Sequence, residues 1–209
     1  WEAELDYAVN ENVEPVAVTI KVRPGPRYRL GKIELRTPAG ADPPPLADPS
    51  PRALGLKLGE PALTQAVVNA ESTIVERYGE EGRPFAKVVD REVVIDRATK
   101  EMTVTYTVET GPRVRFGSHT VGGLERLEAG YVERRIKWRR GEVYDARLVA
   151  RTRRVLIDSG LFSSVRIDPS QALADDEPVL LTITVVERAR RSIDAGLYYE
   201  TTQGIGWSA

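Results

Sequence analysis

Few side chains in this sequence could carry out covalent or metal chemistry. The 209 residues include one histidine, His119, and no cysteine, which excludes a thiol nucleophile and leaves a zinc site without a ligand set. Carboxylates adjoin at 80–81 and in the run 175–177, but neighbours in a turn are not held at the fixed separation that acid–base catalysis needs. The serine pair 163–164 has no base nearby in the sequence, and the glycine pair 122–123 lacks a GxGxxG pattern. The residues predict a protein that is not an enzyme and has no catalytic, cofactor or metal site.

The strongest charge feature lies between Arg134 and Arg154, where nine residues are basic and two are acidic. Its second half supplies the candidate basic binding face, made of Arg147, Arg151, Arg153 and Arg154. One interpretation is a solvated helix face whose long side chains cover apolar surface. The other is a docking face for acidic partner segments or for lipid headgroups. The net charge of the whole chain is -1, so we expect no nucleic acid partner.

A repeated stretch organises the elements that carry these residues. Residues 25–31 read GPRYRLG and residues 111–117 read GPRVRFG, 86 positions apart and identical at five of seven positions. Each Gly-Pro marks a turn, and the alternation of arginine with apolar residues behind it indicates a half-buried strand. Each copy opens the order strand, helix, helix, strand, strand, with a long helix ending at Gly79 and then at Gly160. The pattern predicts two α+β units.

One segment of the first unit is unlike the second. Six prolines fall between Pro38 and Pro51, and proline suits neither a sheet interior nor a helix interior. We expect a surface insertion resembling polyproline II, with a proline motif for a partner domain as the alternative. A short helical turn over 52–58 follows it.

Both ends of the chain show strand patterns. Alternation from Glu4 to Val22 predicts a hairpin, interpreted as the last two strands of a preceding, truncated domain. At the other end, apolar residues alternate from Ile193 to Tyr199, as in one strand of about ten residues from a membrane barrel. An exposed tail is the alternative. No apolar run is long enough for a transmembrane helix, and the chain looks like a piece of a longer protein.

Several stretches together resemble POTRA (polypeptide-transport-associated) domains. They are 111–117, 140–144 (RGEVY), and 159–162 (SGLF) followed by Val165. The tail 195–204 (AGLYYETTQG) resembles the first barrel strand of TamA-like outer-membrane assembly factors of the BamA superfamily. The resemblance implies tandem α+β POTRA domains, each with a three-stranded mixed sheet against two helices. The implied bounds are a final hairpin at 1–23, domains at 24–110 and 111–188, and a truncated barrel strand at 189–209.

The same resemblance implies a function. The chain would be the periplasmic part of an outer-membrane protein and a scaffold for protein assembly or translocation, without cofactors. Its partners would be unfolded outer-membrane or autotransporter polypeptides, a TamB-like inner-membrane-anchored protein, and the membrane through the missing barrel. The alternatives are a BamA-like factor, the POTRA region of a two-partner-secretion transporter, and a repeat module of a cell-envelope structural or adhesive protein.

The resemblance also places strand 85–96 at the edge of its sheet. Backbone groups on an open edge could accept a strand from a client polypeptide. The candidate residues are alternate positions along that strand, namely Phe85, Lys87, Val89, Arg91 and Val93. The charged residues of the strand, which also include Asp90, Glu92 and Asp96, could instead protect the edge against uncontrolled pairing.

Overall fold

The computed structural model describes residues 4–10, 17–23, 27–172, 174–189, 196–200 and 204–208. The chain divides into two compact units. Unit 1 comprises Trp1–Arg115, Gly141–Ala146 and Ala172–Pro178, and unit 2 comprises Phe116–Arg140, Arg147–Gln171 and Val179–Ala209. Each unit contains a three-stranded sheet and helix, which confirms the α+β class and the mixed sheets expected from the sequence. The motif residues 25–26 lie outside the described part.

The sheet of unit 1 has the strand order β3-β5-β4. Strand β3 (Arg29–Arg36) runs parallel to β5 (Glu101–Glu109), and β4 (Lys87–Asp96) pairs with the other side of β5 in the antiparallel sense. One helix, α1 (Thr64–Glu80), shares the core with this sheet. Its buried positions recur at helical spacing (Val67, Ala70, Ile74 and Tyr78), and β5 buries alternate residues (Val104, Tyr106 and Val108). These two periods bring one helix face onto one sheet face.

The proline-rich segment 38–51 is mostly exposed, as expected of a surface insertion, except at Leu46. Leu46 is part of the core together with Leu54 and Leu56, which follow the segment, and each of the three is no more than 4% exposed. The hydroxyl of Tyr78 donates a 3.0 Å hydrogen bond to the carbonyl oxygen of Pro44. Residues 51–55 form turns and no α-helix, so this loop takes the place of the first of the two helices expected in unit 1. Proline disfavours a helix in this segment, yet an isolated leucine between prolines is still buried in the core.

The sheet of unit 2 has the equivalent order, β6-β8-β7. Its strands are β6 (Arg115–Gly122), β7 (Phe162–Pro169) and β8 (Pro178–Glu187), and its helices are α2 (Ala129–Glu133) and α3 (Ala146–Asp158). β8 buries Val179, Leu181, Ile183 and Val185 in strict alternation. Helix α2 has five residues, because the chain from Arg134 to Arg140 runs as turn and loop.

Two hairpins complete the described residues. β1 (Glu4–Asn10) and β2 (Ala17–Arg23) pair antiparallel, which confirms the predicted hairpin. β9 (Gly196–Glu200) and β10 (Gly204–Ser208) also pair antiparallel. β9 lies in the stretch predicted as one barrel strand of about ten residues, and residues 190–195 lie outside the described part, so the length of that strand stays a prediction. Ile193 lies outside the described residues, and no described helix is both long and apolar enough to span a bilayer.

Candidate binding surfaces

Strand β4 is an outermost strand of the unit 1 sheet. Its inner side pairs with β5 from Lys87 opposite Glu109 to Asp96 opposite Glu101. On its outer side, no other strand of the described chain is adjacent. A strand in this position leaves every second backbone N–H and C=O directed away from the sheet. The sheet edge that the sequence singled out therefore exists in the structure, and β4 provides it.

The distal half of β4 exposes aliphatic side chains on both faces of the sheet. Val93 is 42% exposed, Val94 is 53% exposed and Ile95 is 39% exposed. Val93 and Ile95 lie opposite Val104 and Met102, on the face that α1 covers, and Val94 lies on the other face. An additional strand laid along this edge would meet apolar neighbours above and below the sheet plane.

The alternation expected for the five edge candidates is broken by a bulge. The pairing of β4 with β5 shifts between Val88 and Asp90, so that Val89 is an extra residue in the strand. Val88 lies opposite the buried Val108, which places its neighbour Lys87 on the face of the sheet away from α1. Arg91 and Val93 lie on the helix side. The candidates thus do not share one face, because one inserted residue reverses the side-chain order.

Phe85 does not belong to the edge. It lies in the turn before β4 and is only partly exposed. A side chain added at Gly111 would come within 3.0 Å of the Cβ atom of Phe85, so Phe85 packs beside the chain that follows β5. The predicted position of Phe85 in the strand was wrong, because β4 begins at Lys87, two positions later than the sequence pattern indicated.

Charged and polar contacts fix β4 to the rest of unit 1. The guanidinium group of Arg91 pairs with the carboxylate of Glu71 on α1, and Lys87 pairs with Glu109 at 2.6 Å. Asp90 and Glu92 are exposed. Carboxylates along an open edge disfavour indiscriminate pairing of strands, so the same strand carries both an open edge and residues that limit its use.

The second candidate surface lies on helix α3. Val149, Thr152 and Leu156 are buried, and helical periodicity places Arg151 and Arg154 on the opposite, outward side. Arg147 and Arg153 are exposed as well. The structure therefore presents all four predicted basic residues at the surface of the molecule.

A buried threonine of α3 holds the preceding loop against the helix. The hydroxyl of Thr152 donates to the carbonyl oxygen of Leu148 at 2.9 Å and accepts from the backbone N–H of Lys137 at 3.0 Å. Within the same loop, the ring of Trp138 stacks on Phe116 with centroids 5.2 Å apart. These contacts seat the basic loop residues 134–140 beside the basic helix.

The carboxylate of Glu187 is the centre of a dense polar cluster in unit 2. It accepts hydrogen bonds of 2.9–3.0 Å from the backbone N–H groups of Glu125, Arg126 and Leu127, and another of 2.9 Å from the guanidinium group of Arg126. The backbone donors, with the Arg126 side chain, lower the pKa of Glu187 to about 2. No local sequence pattern indicates this role, because the donors lie about 60 positions away.

A cavity of about 520 Å³ adjoins this cluster. Its lining residues are Arg126, Leu127, Gly160, Leu161, Glu187, Arg188 and Ala189. The Arg126 side chain also donates to the carbonyl oxygen of Arg188 at 2.9 Å. With Arg126 and Glu187 bonded to the chain itself, the arrangement ties the end of β8 to the loop before α2.

The residues considered for chemistry include His119, Ser163 and Asp175. His119 is partly exposed on β6, and the hydroxyl of Ser163 donates to the carbonyl oxygen of Val186 at 3.2 Å. The carboxylate of Asp175 accepts from the backbone N–H of Arg113 at 2.6 Å. In the part of the chain that the structure describes, no group of three or more histidine, cysteine, aspartate or glutamate side chains could hold a metal ion.

Comparison with protein families and curated sequences gives a consistent result. The family model described as "POTRA: Surface antigen variable number repeat" matches residues 52–111 and 114–188, more than half of the chain. The chain is 20% identical over 206 residues to outer membrane protein assembly factor BamA of Neisseria meningitidis serogroup B (strain ATCC BAA-335 / MC58). It is 24% identical over 207 residues to the protein of the same name from Neorickettsia risticii (strain Illinois). These alignments cover 99% and 96% of this chain but only 25% and 27% of the relatives.

Solved structures show the same fold. A crystal structure of Haemophilus influenzae BamA POTRA3-5 matches with a TM-score of 0.63 and 24% identity, over 89% of this chain and 73% of that one. BamA from Haemophilus ducreyi lacking POTRA domains 1-3 matches with a TM-score of 0.64 and 18% identity, over 86% and 33% of the two chains. The two sets of matches agree on one kind of domain.

Proposed function

The chain belongs to the POTRA family, and we propose that it is part of the periplasmic scaffold of an outer-membrane protein assembly or translocation factor. In this role β4 binds extended segments of client or partner polypeptides. One observation carries the proposal, namely that β4 is an outermost strand with apolar side chains exposed on both of its faces.

Strand addition suits a scaffold that must accept many sequences. The added strand is held by main-chain hydrogen bonds, which every residue except proline can make, and side chains adjust the preference. Val93, Val94 and Ile95 supply aliphatic contacts, while Asp90 and Glu92 lie on the adjacent stretch. We therefore expect preference for client strands that alternate apolar residues and carry basic residues toward one end.

The names of the relatives support this context. Both curated relatives are named as outer membrane protein assembly factors, and the chain spans about a quarter of their length. Assembly of outer-membrane polypeptides and a periplasmic location are proposed for this chain on that basis. The narrower TamA-like assignment, autotransporter clients and a TamB-like partner stay predictions from the sequence resemblance.

Proline substitution at two neighbouring positions tests strand addition. Adjacent residues of a strand direct their N–H groups to opposite sides, so Val93→Pro and Val94→Pro each remove a different one. One of the two variants loses an N–H group that bonds to β5, and the other loses an N–H group that points away from the sheet. The second variant is recognised because it keeps the thermal stability of the parent chain. A photo-crosslinking residue at Glu92 then reports capture of an unfolded outer-membrane barrel polypeptide.

We expect the stable proline variant to lose most of the crosslinking. Threonine at the same position is the matched control, because it keeps the N–H group and the β-branched shape, and it should crosslink like the parent chain. Undiminished crosslinking in the stable proline variant would contradict binding through the β4 edge.

A further inference from the structure

We propose that unit 2 carries a membrane-surface site, which binds anionic phospholipid headgroups by charge alone. The site consists of the exposed basic side chains of α3 and of the loop before it, here called the basic surface: Arg134, Lys137, Arg140, Arg151, Arg153 and Arg154. This inference goes beyond the proposed strand addition and concerns the other unit, so the two can fail independently.

The charge of the basic surface is not neutralised by the surrounding protein. Within the described residues, none of its six head groups takes part in an ion pair, although several arginines elsewhere do, such as Arg91 with Glu71 and Arg166 with Asp168. Asp158 lies one turn beyond Arg154 and Glu133 precedes Arg134, while Glu142 and Asp145 lie in the chain between the loop and α3. The concentration is local, because the whole chain has a net charge of -1.

The underlying backbone holds these side chains in place. Thr152 accepts the N–H of Lys137 and thereby joins the loop to α3 between Arg151 and Arg153. Arg135 has a different role, since it lies 3.4 Å over the ring of Tyr131 and donates to that residue's carbonyl oxygen. The backbone that carries the six exposed basic side chains is therefore fixed by contacts between the loop and α3.

The lack of exposed large apolar side chains on the basic surface indicates which kind of partner binds it. Specific protein interfaces centre on buried aromatic or large apolar anchors. The exposed large hydrophobic residues of the described chain fall on other segments, and none lies between 134 and 158. A surface with charge but no anchor matches an anionic bilayer, which offers a continuous layer of negative headgroups and needs no complementary pocket. An acidic protein segment is the competing occupant.

Vesicle co-sedimentation tests the inference on the 209-residue chain. We expect binding to vesicles containing phosphatidylglycerol in low salt, at least about tenfold weaker binding to vesicles of phosphatidylcholine alone, and release in about 0.5 M salt. The variant R151E/R154E should bind at least about tenfold more weakly than the parent chain. Thermal melting checks that this variant, and the control variant described next, are folded.

A charge-matched control separates the local surface from the net charge. R52E/K57E changes the net charge by the same amount at two exposed positions of unit 1 and should bind like the parent chain. Equal loss in both variants, binding that ignores salt, or equal affinity for the two kinds of vesicle would overturn the proposal. Binding of soluble polyglutamate without binding of vesicles would also overturn it and would point to an acidic polypeptide.

Discussion

The hydroxyl of Tyr106, in the central strand of unit 1, donates a 2.8 Å hydrogen bond to the carbonyl oxygen of Val67 on α1. Both residues are buried, so the bond joins helix and sheet inside the core. Burial also raises the pKa of Tyr106 to about 12. This contact lies next to β4, because Tyr106 is the residue opposite Arg91 in the neighbouring strand.

Tyr106→Phe should lower the free energy of unfolding at neutral pH by about 1 kcal/mol, the usual net contribution of one hydrogen bond. The stability advantage of the parent chain should shrink above pH 10 and reverse before pH 12, because the unfolded tyrosine ionises first and each unit of pKa shift corresponds to about 1.4 kcal/mol. Urea unfolding at several pH values measures both effects. An advantage of the parent chain that increases above pH 10 would be inconsistent with a neutral, buried hydroxyl.

The pair of Arg91 and Glu71 should contribute only modestly, since its side chains remain 31% and 33% exposed. A double-mutant cycle with alanine at both positions should give a coupling energy of about 0.5 kcal/mol, which decreases towards zero in about 1 M salt. Hydrogen exchange of β4 should become faster in each single variant. A coupling energy that salt does not change would show that the interaction is not electrostatic.

Substitution by alanine should affect the free energy of unfolding very differently at the adjacent glycines 122 and 123. Gly123 has φ +83°, and a Cβ atom there would lie 2.0 Å from the carbonyl oxygen of Val185. Gly123→Ala should therefore cost more than about 3 kcal/mol in chemical unfolding, from strain and steric overlap together. Gly122→Ala meets no atom within 4 Å and should stay within about 0.5 kcal/mol of the parent chain. Similar losses of stability in both variants would show that positive φ and overlap with Val185 do not determine the cost at Gly123.

Glu187→Gln should destabilise unit 2 at neutral pH, because the carboxylate holds three backbone donors and one guanidinium group. The pKa of this carboxyl is below its ordinary value of 4.5, at about 2. Its stabilising effect is therefore complete above pH 4.5 and is lost as the pH falls towards 2. Thermal melting between pH 7 and 3 should show parent and variant converging. Glu125→Gln, at an exposed side chain, should behave like the parent chain throughout.

Regular elements were predictable because burial of one face leaves a period in the sequence. β8 alternates Val179, Leu181, Ile183 and Val185, and all four are buried. Helix α3 likewise exposes Arg151 and Arg154 as the periodicity predicts. The order of strands in each sheet came from the family resemblance, since no local pattern determines which strand lies outermost.

The candidate edge was predicted only in part, and the reason is geometric. The bulge at Val89 sits among consecutive valines, which fit either face of a strand, so the inserted residue leaves no signal in the composition. The cluster around Glu187 was missed because a carboxylate that binds distant backbone N–H groups needs no particular residue type at the donor positions. Contacts of this kind become visible only in three dimensions.

The buried leucines of the proline-rich loop have a practical consequence for protein engineering. By composition the segment resembles a linker, the usual place for an affinity tag, a protease site or an inserted domain. Leu46 is part of the core and Pro44 accepts the hydrogen bond from Tyr78, so a cut or an insertion there would open the hydrophobic interior. The turn Arg97–Lys100 between β4 and β5 is exposed throughout and offers a safer position.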